Sequence, residues 1–178
     1  MNILVTGAKG FIGFNLTLWL QNAKHTILPY DIDSSEEDLI SFIKQADFVV
    51  HLAGVNRPLT KEEFYDGNTN FTKKLIDLIK KSGKNLPIIF SSSIQAELDN
   101  DYGKSKRMAE DFLFASKLNV FVYRLSNVFG KWCRPNYNSA LATFCYNIAR
   151  NLPIEIRDRD YVVHYNYVDD ICREFLDV

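Results

Sequence analysis

The sequence predicts an α/β fold, a doubly wound parallel sheet with helices on both faces. Three observations carry the prediction. Short apolar, β-rich runs alternate with segments of helical period along the chain. The runs are nearly continuous in apolar residues, as in DFVVHL (Asp47–Leu52), which is how a parallel strand covered on both faces reads. Small and polar residues follow the runs directly, at Gly7, Gly54, Ser91 and Asn127. In an open parallel sheet those positions share the edge at which ligands bind.

The first element is the apolar run Ile3–Val5. It leads into Thr6–Gly13 (TGAKGFIG), where Gly7, Gly10 and Gly13 recur every three residues, and a helical pattern follows through Ile12, Leu16, Trp19 and Leu20. Strand, glycine turn and helix together are the context of a dinucleotide-binding fingerprint, so the fold is Rossmann-like. One glycine permits the tight turn, one lets backbone approach a pyrophosphate, and one lets the helix pack closely. The anion would sit at the helix N-terminus. Gly7, Lys9, Gly10, Phe11, Ile12 and Gly13 are therefore candidate cofactor contacts.

His25–Tyr30 reads as the second strand, and Asp31 follows it. A carboxylate there could hold a ribose 2′-hydroxyl, which favours NAD. It could equally be a turn residue of the Asp- and Ser-rich segment DIDSSEED. Lys9 pulls toward NADP, since its cation could pair with a 2′-phosphate. Ser35–Ala46 reads as a serine-capped helix. The third strand ends at His51, read as a packed or hydrogen-bonded residue, with Leu52, Ala53 and Gly54 at the ligand edge.

Lys61–Ser82 carries a helical period, within which Asn68 and Asn70 stand against helix propensity. Such a residue can mark a site or simply face solvent. Pro87–Phe90 begins a fourth strand running into Ser91, Ser92 and Ser93. Tyr102 and Lys106 follow, four apart and so on one helix face. Asn119–Leu125 is a fifth strand, with Asn127 and Gly130 beyond it. Lys131–Asn138 reads as loop, Ser139–Arg150 as helix, Asp160–Tyr167 as strand, and Val168–Leu176 as helix.

Composition excludes some classes. The chain has 178 residues, a formal net charge of −1 and 47% hydrophobic residues, which suits one globular domain. No basic run points to nucleic acid, and no apolar run approaches the roughly 20 residues of a membrane span. Cys133, Cys145 and Cys172 are widely spaced, without a metal-ligand pattern. They read as free thiols of a cytoplasmic protein, and no metal is expected.

Ser93, Tyr102 and Lys106 together suggest a chemistry. A phenol near pKa 10 is a weak acid at neutral pH. A lysine one turn away should favour the phenolate and lower that pKa. The lysine can also bond a ribose, and the serine can orient a substrate oxygen. Such a set moves a proton to or from a carbinol oxygen while a nicotinamide carries the hydride.

With these motifs the chain resembles an extended short-chain dehydrogenase/reductase of the nucleotide-sugar branch. TGAKGFIG, HLAG (His51–Gly54), SSS (Ser91–Ser93), YGKSK (Tyr102–Lys106) and YVDDI (Tyr167–Ile171) match in order. The resemblance implies Ser93, Tyr102 and Lys106 as catalytic residues, Asn68 in support, and Asn127 on the substrate side together with Ser93 and Arg134. Tyr102, Lys106, Leu52, Ala53, Gly54 and Ser91 would also line the cofactor. HLAGVNRP, SSSIQA, NVFGKWCRPNYNS and ATFCYNIARN further resemble the reductase domains of bifunctional capsular-polysaccharide enzymes on the route to UDP-N-acetyl-L-fucosamine. That implies reduction of a UDP-linked 4-keto-6-deoxy amino sugar by NADPH, with NADH as the other option. It also implies a homodimer in full-length form. By the same resemblance these residues would correspond to the reductase domain without the family's cupin domain, and would be truncated within the substrate-binding half. Ile94 and Gln95 after Ser93 argue against a dehydratase, which uses an Asp-Glu pair there. A nucleotide-sugar epimerase and a non-catalytic nucleotide-binding protein are the other readings.

Overall fold

The computed structural model describes residues 1–156 and 158–178. They form two compact units, Met1–Leu125 and Ser126–Val178. The first holds five parallel strands: β1 (Asn2–Thr6), β2 (Thr26–Tyr30), β3 (Phe48–His51), β4 (Ile88–Ser93) and β5 (Val120–Leu125). Their order is β2-β1-β3-β4-β5. The order reverses between β1 and β3, so the ligand crevice of such a sheet lies between the ends of these two strands. Thr6 and His51 are register partners there.

Alternation along the strands sends apolar side chains to two faces. Leu4, Val49, Ile88 and Phe90 join one cluster with Leu39 and Ile43 of α2 (Glu36–Gln45), Leu75 and Ile79 of α4 (Phe71–Lys81), and Leu113 of α5 (Asp101–Ala115). Ile3, Val5, Val50 and Ile89 are just as buried but lie outside that cluster, on the opposite face. The buried Leu16 and Leu20 belong to α1 (Phe11–Asn22), which is also outside it. Helices thus cover both faces, as the continuous apolar strands require. The serine cap expected for α2 is a full capping box between Ser35 and Asp38.

Two expectations are corrected. Lys61–Ser82 is not one regular helix. A single α turn, α3 (Glu62–Phe64), passes into a π-helical turn (Tyr65–Asn70) before α4 begins. Gly67 sits in that turn, where an added Cβ would lie 2.3 Å from Val55 Cγ2, so the turn is pressed onto the segment after β3. In the second unit, the strand expected over Asp160–Tyr167 is only β7 (Tyr165–Tyr167). It pairs with β6 (Asn127–Phe129), which the sequence did not announce. Tyr161 and Val162 have strand-like residue types but are exposed and unpaired with any described strand; β propensity counts only where there is a neighbour to pack on. That unit also contains α6 (Ala140–Ile148) and α7 (Val168–Leu176), the latter burying Val168, Ile171, Cys172 and Phe175.

Candidate active site

The glycine turn begins where β1 ends. Gly7 has φ +70°, and an added Cβ would lie 2.8 Å from the Ala53 nitrogen, so only glycine suits both the conformation and the neighbour. An added Cβ at Gly13 would meet the Gly7 carbonyl oxygen at 2.1 Å, so the start of α1 rests directly on the turn. Gly10 differs: its added Cβ would meet only the Gly7 oxygen, at 3.1 Å. Gly10 caps α1 without a side chain, and the first helical turn has no acidic residue. The helix therefore presents an open, positive N-terminus over a glycine with free space, a cradle that fits a pyrophosphate.

Asp31 closes the turn from the side. One carboxylate oxygen accepts from the Lys9 amide at 2.7 Å and the other from the Ile32 amide at 2.8 Å. The Lys9 ammonium pairs with Asp33, which holds the Asp33 carboxyl below its ordinary pKa. Both acids after β2 are thus engaged with the turn itself.

On the neighbouring strand, His51 is completely buried. Its Nδ1 lies 2.7 Å from Thr6 Oγ1 and its Nε2 2.8 Å from Thr72 Oγ1. Burial, with the Lys106 charge nearby, pushes the imidazole down to about 3. Leu52 and Ala53 amides bond to Thr6, the first to its carbonyl and the second to its hydroxyl. An added Cβ at Gly54 would lie 2.6 Å from Asn68 Oδ1 and 3.1 Å from Lys106 Nζ, so these two side chains converge on it. Asn68 is 1% exposed. Its amide accepts from Val55 N at 3.0 Å and donates to the Val55 carbonyl and to Ser105 Oγ, each at 2.9 Å. The residue that defied helix propensity is held by the loop after β3 and by α5.

Ser93 ends β4. Its hydroxyl accepts from the Gln95 amide at 3.2 Å, capping the 3₁₀ turn Ile94–Glu97. Asn100 caps α5 through the Gly103 amide at 2.7 Å, and an added Cβ at Gly103 would strike the Gln95 oxygen at 2.1 Å. Cap and glycine lock the first turn of α5 onto the 3₁₀ turn, which sets Tyr102 beside Ser93. Burial raises the Tyr102 pKa, and a hydrogen bond with Ser93 opposes the rise. This corrects the expectation that Lys106 depresses that phenol. The Lys106 ammonium donates instead to the Ser91 carbonyl at 2.9 Å and lies 5.0 Å from the Phe90 ring centre. Burial pushes its own pKa down to about 8.

Glu110, one turn beyond Lys106, was not singled out from the sequence. It is 1% exposed and takes hydrogen bonds from Ser92 and, bidentately, from Arg124 at 3.0 and 2.6 Å. Ser92 and Arg124 are register partners on β4 and β5, so they reach the same face of the sheet. An acid at helical spacing from Lys106 and an arginine inside an apolar strand were the available signals. Asn127 and Arg134 lie in the second unit. Asn127 opens β6 and donates to the His164 carbonyl at 3.3 Å, while Arg134 sits 5.5 Å from the Tyr137 ring centre. Among the described residues no cluster of His, Cys, Asp and Glu could hold a metal, and no helix is long and apolar enough to cross a membrane.

The chain is similar to known proteins along its length. The chain is 46% identical over 183 residues to a UDP-2-acetamido-2,6-beta-L-arabino-hexul-4-ose reductase of Pseudomonas aeruginosa, covering all of this chain and 49% of that protein. It is similar to the capsular polysaccharide assembling protein CapF of Staphylococcus aureus, with a TM-score of 0.88 and 47% identity over 99% of this chain and 49% of that one. The chain thus spans about half the length of these relatives. The fold is shared with UDP-glucuronic acid 4-epimerase of Bacillus cereus, at a TM-score of 0.85 and 21% identity, over 99% of this chain and 71% of that one. The model of the NAD dependent epimerase/dehydratase family matches residues 3–177, and the chain belongs to that family.

Proposed function

We propose that this chain reduces the 4-keto group of a UDP-2-acetamido-2,6-dideoxy-hexulose with NADPH, in the synthesis of a capsular polysaccharide precursor. The observation that carries the reading is the half-buried Tyr102 phenol bonded to Ser93 at the end of β4, with Lys106 on the same helix face. The similarity to the Pseudomonas reductase supports the sugar class. When bound, the reduced nicotinamide supplies the hydride. The residues of the chain do the rest. Gly10 and the open start of α1 would hold the pyrophosphate. Ser93 orients the ketone oxygen by hydrogen bonding. Tyr102, kept protonated by its raised pKa, gives its proton to that oxygen as negative charge develops there. Lys106, anchored on the Ser91 carbonyl, stands where it can bond a ribose and restrain the phenol.

The test is absorbance at the reduced-nicotinamide wavelength, with this protein, NADPH and the 4-keto UDP-sugar. Oxidation of NADPH that requires the sugar is expected. Tight NADPH binding with no turnover of that sugar would overturn the substrate assignment, and no nucleotide binding would overturn the cofactor assignment too.

A further inference from the structure

Beyond the residues assigned to the chemistry, the centre of the first unit contains a directional chain of hydrogen bonds. The Ala53 amide donates to Thr6 Oγ1 at 3.2 Å, and Thr6 Oγ1 lies 2.7 Å from His51 Nδ1. His51 Nε2 lies 2.8 Å from Thr72 Oγ1, and the Thr72 hydroxyl donates to the Asn68 carbonyl at 2.6 Å. A hydroxyl has one proton to give. That of Thr72 goes to Asn68, so Thr72 can only accept from His51, which must carry its proton on Nε2. Nδ1 is then bare and must accept from Thr6, whose own lone pair takes the Ala53 amide. With the proton on Nδ1, Nε2 and Thr72 Oγ1 would face each other as two acceptors, an unpaired contact in a fully buried place. An imidazolium would put an isolated charge among Phe71, Phe90 and the Lys106 ammonium.

The chain ends on a particular carbonyl. Asn68 belongs to the π-helical turn, where the carbonyl also takes the Phe71 amide. The Thr72 hydroxyl bonds back four residues, at the junction of the π turn and α4. The same residue carries the amide that grips Val55 and Ser105 beside Lys106.

We infer that His51 is a positioning residue for Asn68: as the Nε2–H tautomer it ties Thr6, at the mouth of the glycine turn, through Thr72 to the π turn, and so fixes where Asn68 meets the loop after β3. The inference rests on the proposed reductase reading only for its kinetic arm. The first test needs no turnover. Long-range ¹H–¹⁵N correlation spectra of the histidine rings should show one imidazole with a protonated Nε2 and a bare, hydrogen-bonded Nδ1, unchanged between pH 6 and 8. This signal should vanish in His51→Gln. A protonated Nδ1, or a tautomeric average, overturns the inference whatever the substrate is. The second test is kinetic. Thr72→Val keeps the shape and removes the hydroxyl, and should lower kcat about 10- to 100-fold, the scale of a misplaced active-site group, while sparing NADPH affinity. Thr72→Ser should restore most of kcat. Parent kcat in Thr72→Val, or no rescue by serine, overturns the positioning role; loss of NADPH binding would show that the threonine serves the fold in general and overturns it equally.

Discussion

Tyr102 holds its proton more firmly than a free phenol, because burial opposes the phenolate more than Ser93 favours it. Tyr102→Phe should therefore reduce ketone turnover by about 10²–10⁴-fold, roughly 3–5 kcal/mol of barrier, with NADPH affinity nearly intact. Titration calorimetry and steady-state rates on one preparation check both halves; turnover within tenfold of the parent would exclude the phenol as the acid. His51 makes a different kind of contribution. Its pKa falls from 6.5 to about 3 on folding, so the unfolded chain binds the extra proton between those values. Stability from this group is present above pH 6.5 and is lost as pH falls toward 3, at up to about 1.4 kcal/mol per pH unit. Urea midpoints measured from pH 7 to 4 should fall more steeply for the parent than for His51→Gln. Equal slopes would mean that His51 is charged in the native state. Lys106 has the same sign relation in a more alkaline window: its lowered pKa makes its burial cost greatest below about 8 and relieves it as pH rises toward 10.5.

At the scale of elements, the three glycines of the first turn do unlike work, and substitution should separate them. Gly13→Ala drives a methyl into the backbone carbonyl of Gly7 and should destabilise the unit itself. Gly10→Val meets one oxygen at 3.1 Å and should leave the melting temperature near the parent's while abolishing nucleotide binding. Thermal melts with and without NADPH check the pair; equal loss of stability in both variants would contradict the division. Glu110 fastens α5 to two strands at once. Glu110→Gln keeps the size and one acceptor but breaks the charge-assisted fork to Arg124. Arg124 is partly exposed and retains Glu97, so the loss should be about 1.5–3 kcal/mol rather than the full penalty of a stranded buried charge. A denaturation midpoint unchanged from the parent would show that the fork adds nothing. These elements were unequally legible in the sequence. The strands of the first unit and the serine cap at Ser35 follow from local pattern. The contacts of Glu110 depend on Ser92 and Arg124 standing side by side on neighbouring strands, which no spacing along the chain reveals. Asn68 was conspicuous by propensity alone, but its π turn answers to Val55, a tertiary neighbour.

For the molecule as a whole, a net charge of −1 supplies no broad positive field to gather an anionic cofactor. Discrimination between NADPH and NADH then falls to single cations, and Lys9 is the one in the glycine turn. In the free protein its ammonium pairs with Asp33, both groups well exposed. A 2′-phosphate would take over that partnership, and Asp31, occupied by two amides, would not compete for the ribose. Lys9→Ala should weaken NADPH by about one to two decades, the worth of a charged hydrogen bond, and leave NADH nearly unchanged. Equal effects on both cofactors, or a parent that prefers NADH, would return the ribose to Asp31. The second unit was less legible: an eight-residue strand-like stretch shrinks to Tyr165–Tyr167, the part of it that pairs with a strand among the described residues.

The π turn at Tyr65–Asn70 has a consequence best seen by counting residues. A π turn holds more residues than an α turn for the same closure, so it amounts to an insertion that the helix absorbs without a loop. Removing one residue, Thr69 for instance, would let the backbone relax into ordinary α geometry and rotate everything before it by about 100° relative to α4. Gly67 would leave Val55, and the Asn68 amide would swing away from Ser105. The shorter chain would have the more regular helix, and the irregular one is what the loop after β3 was shaped to receive.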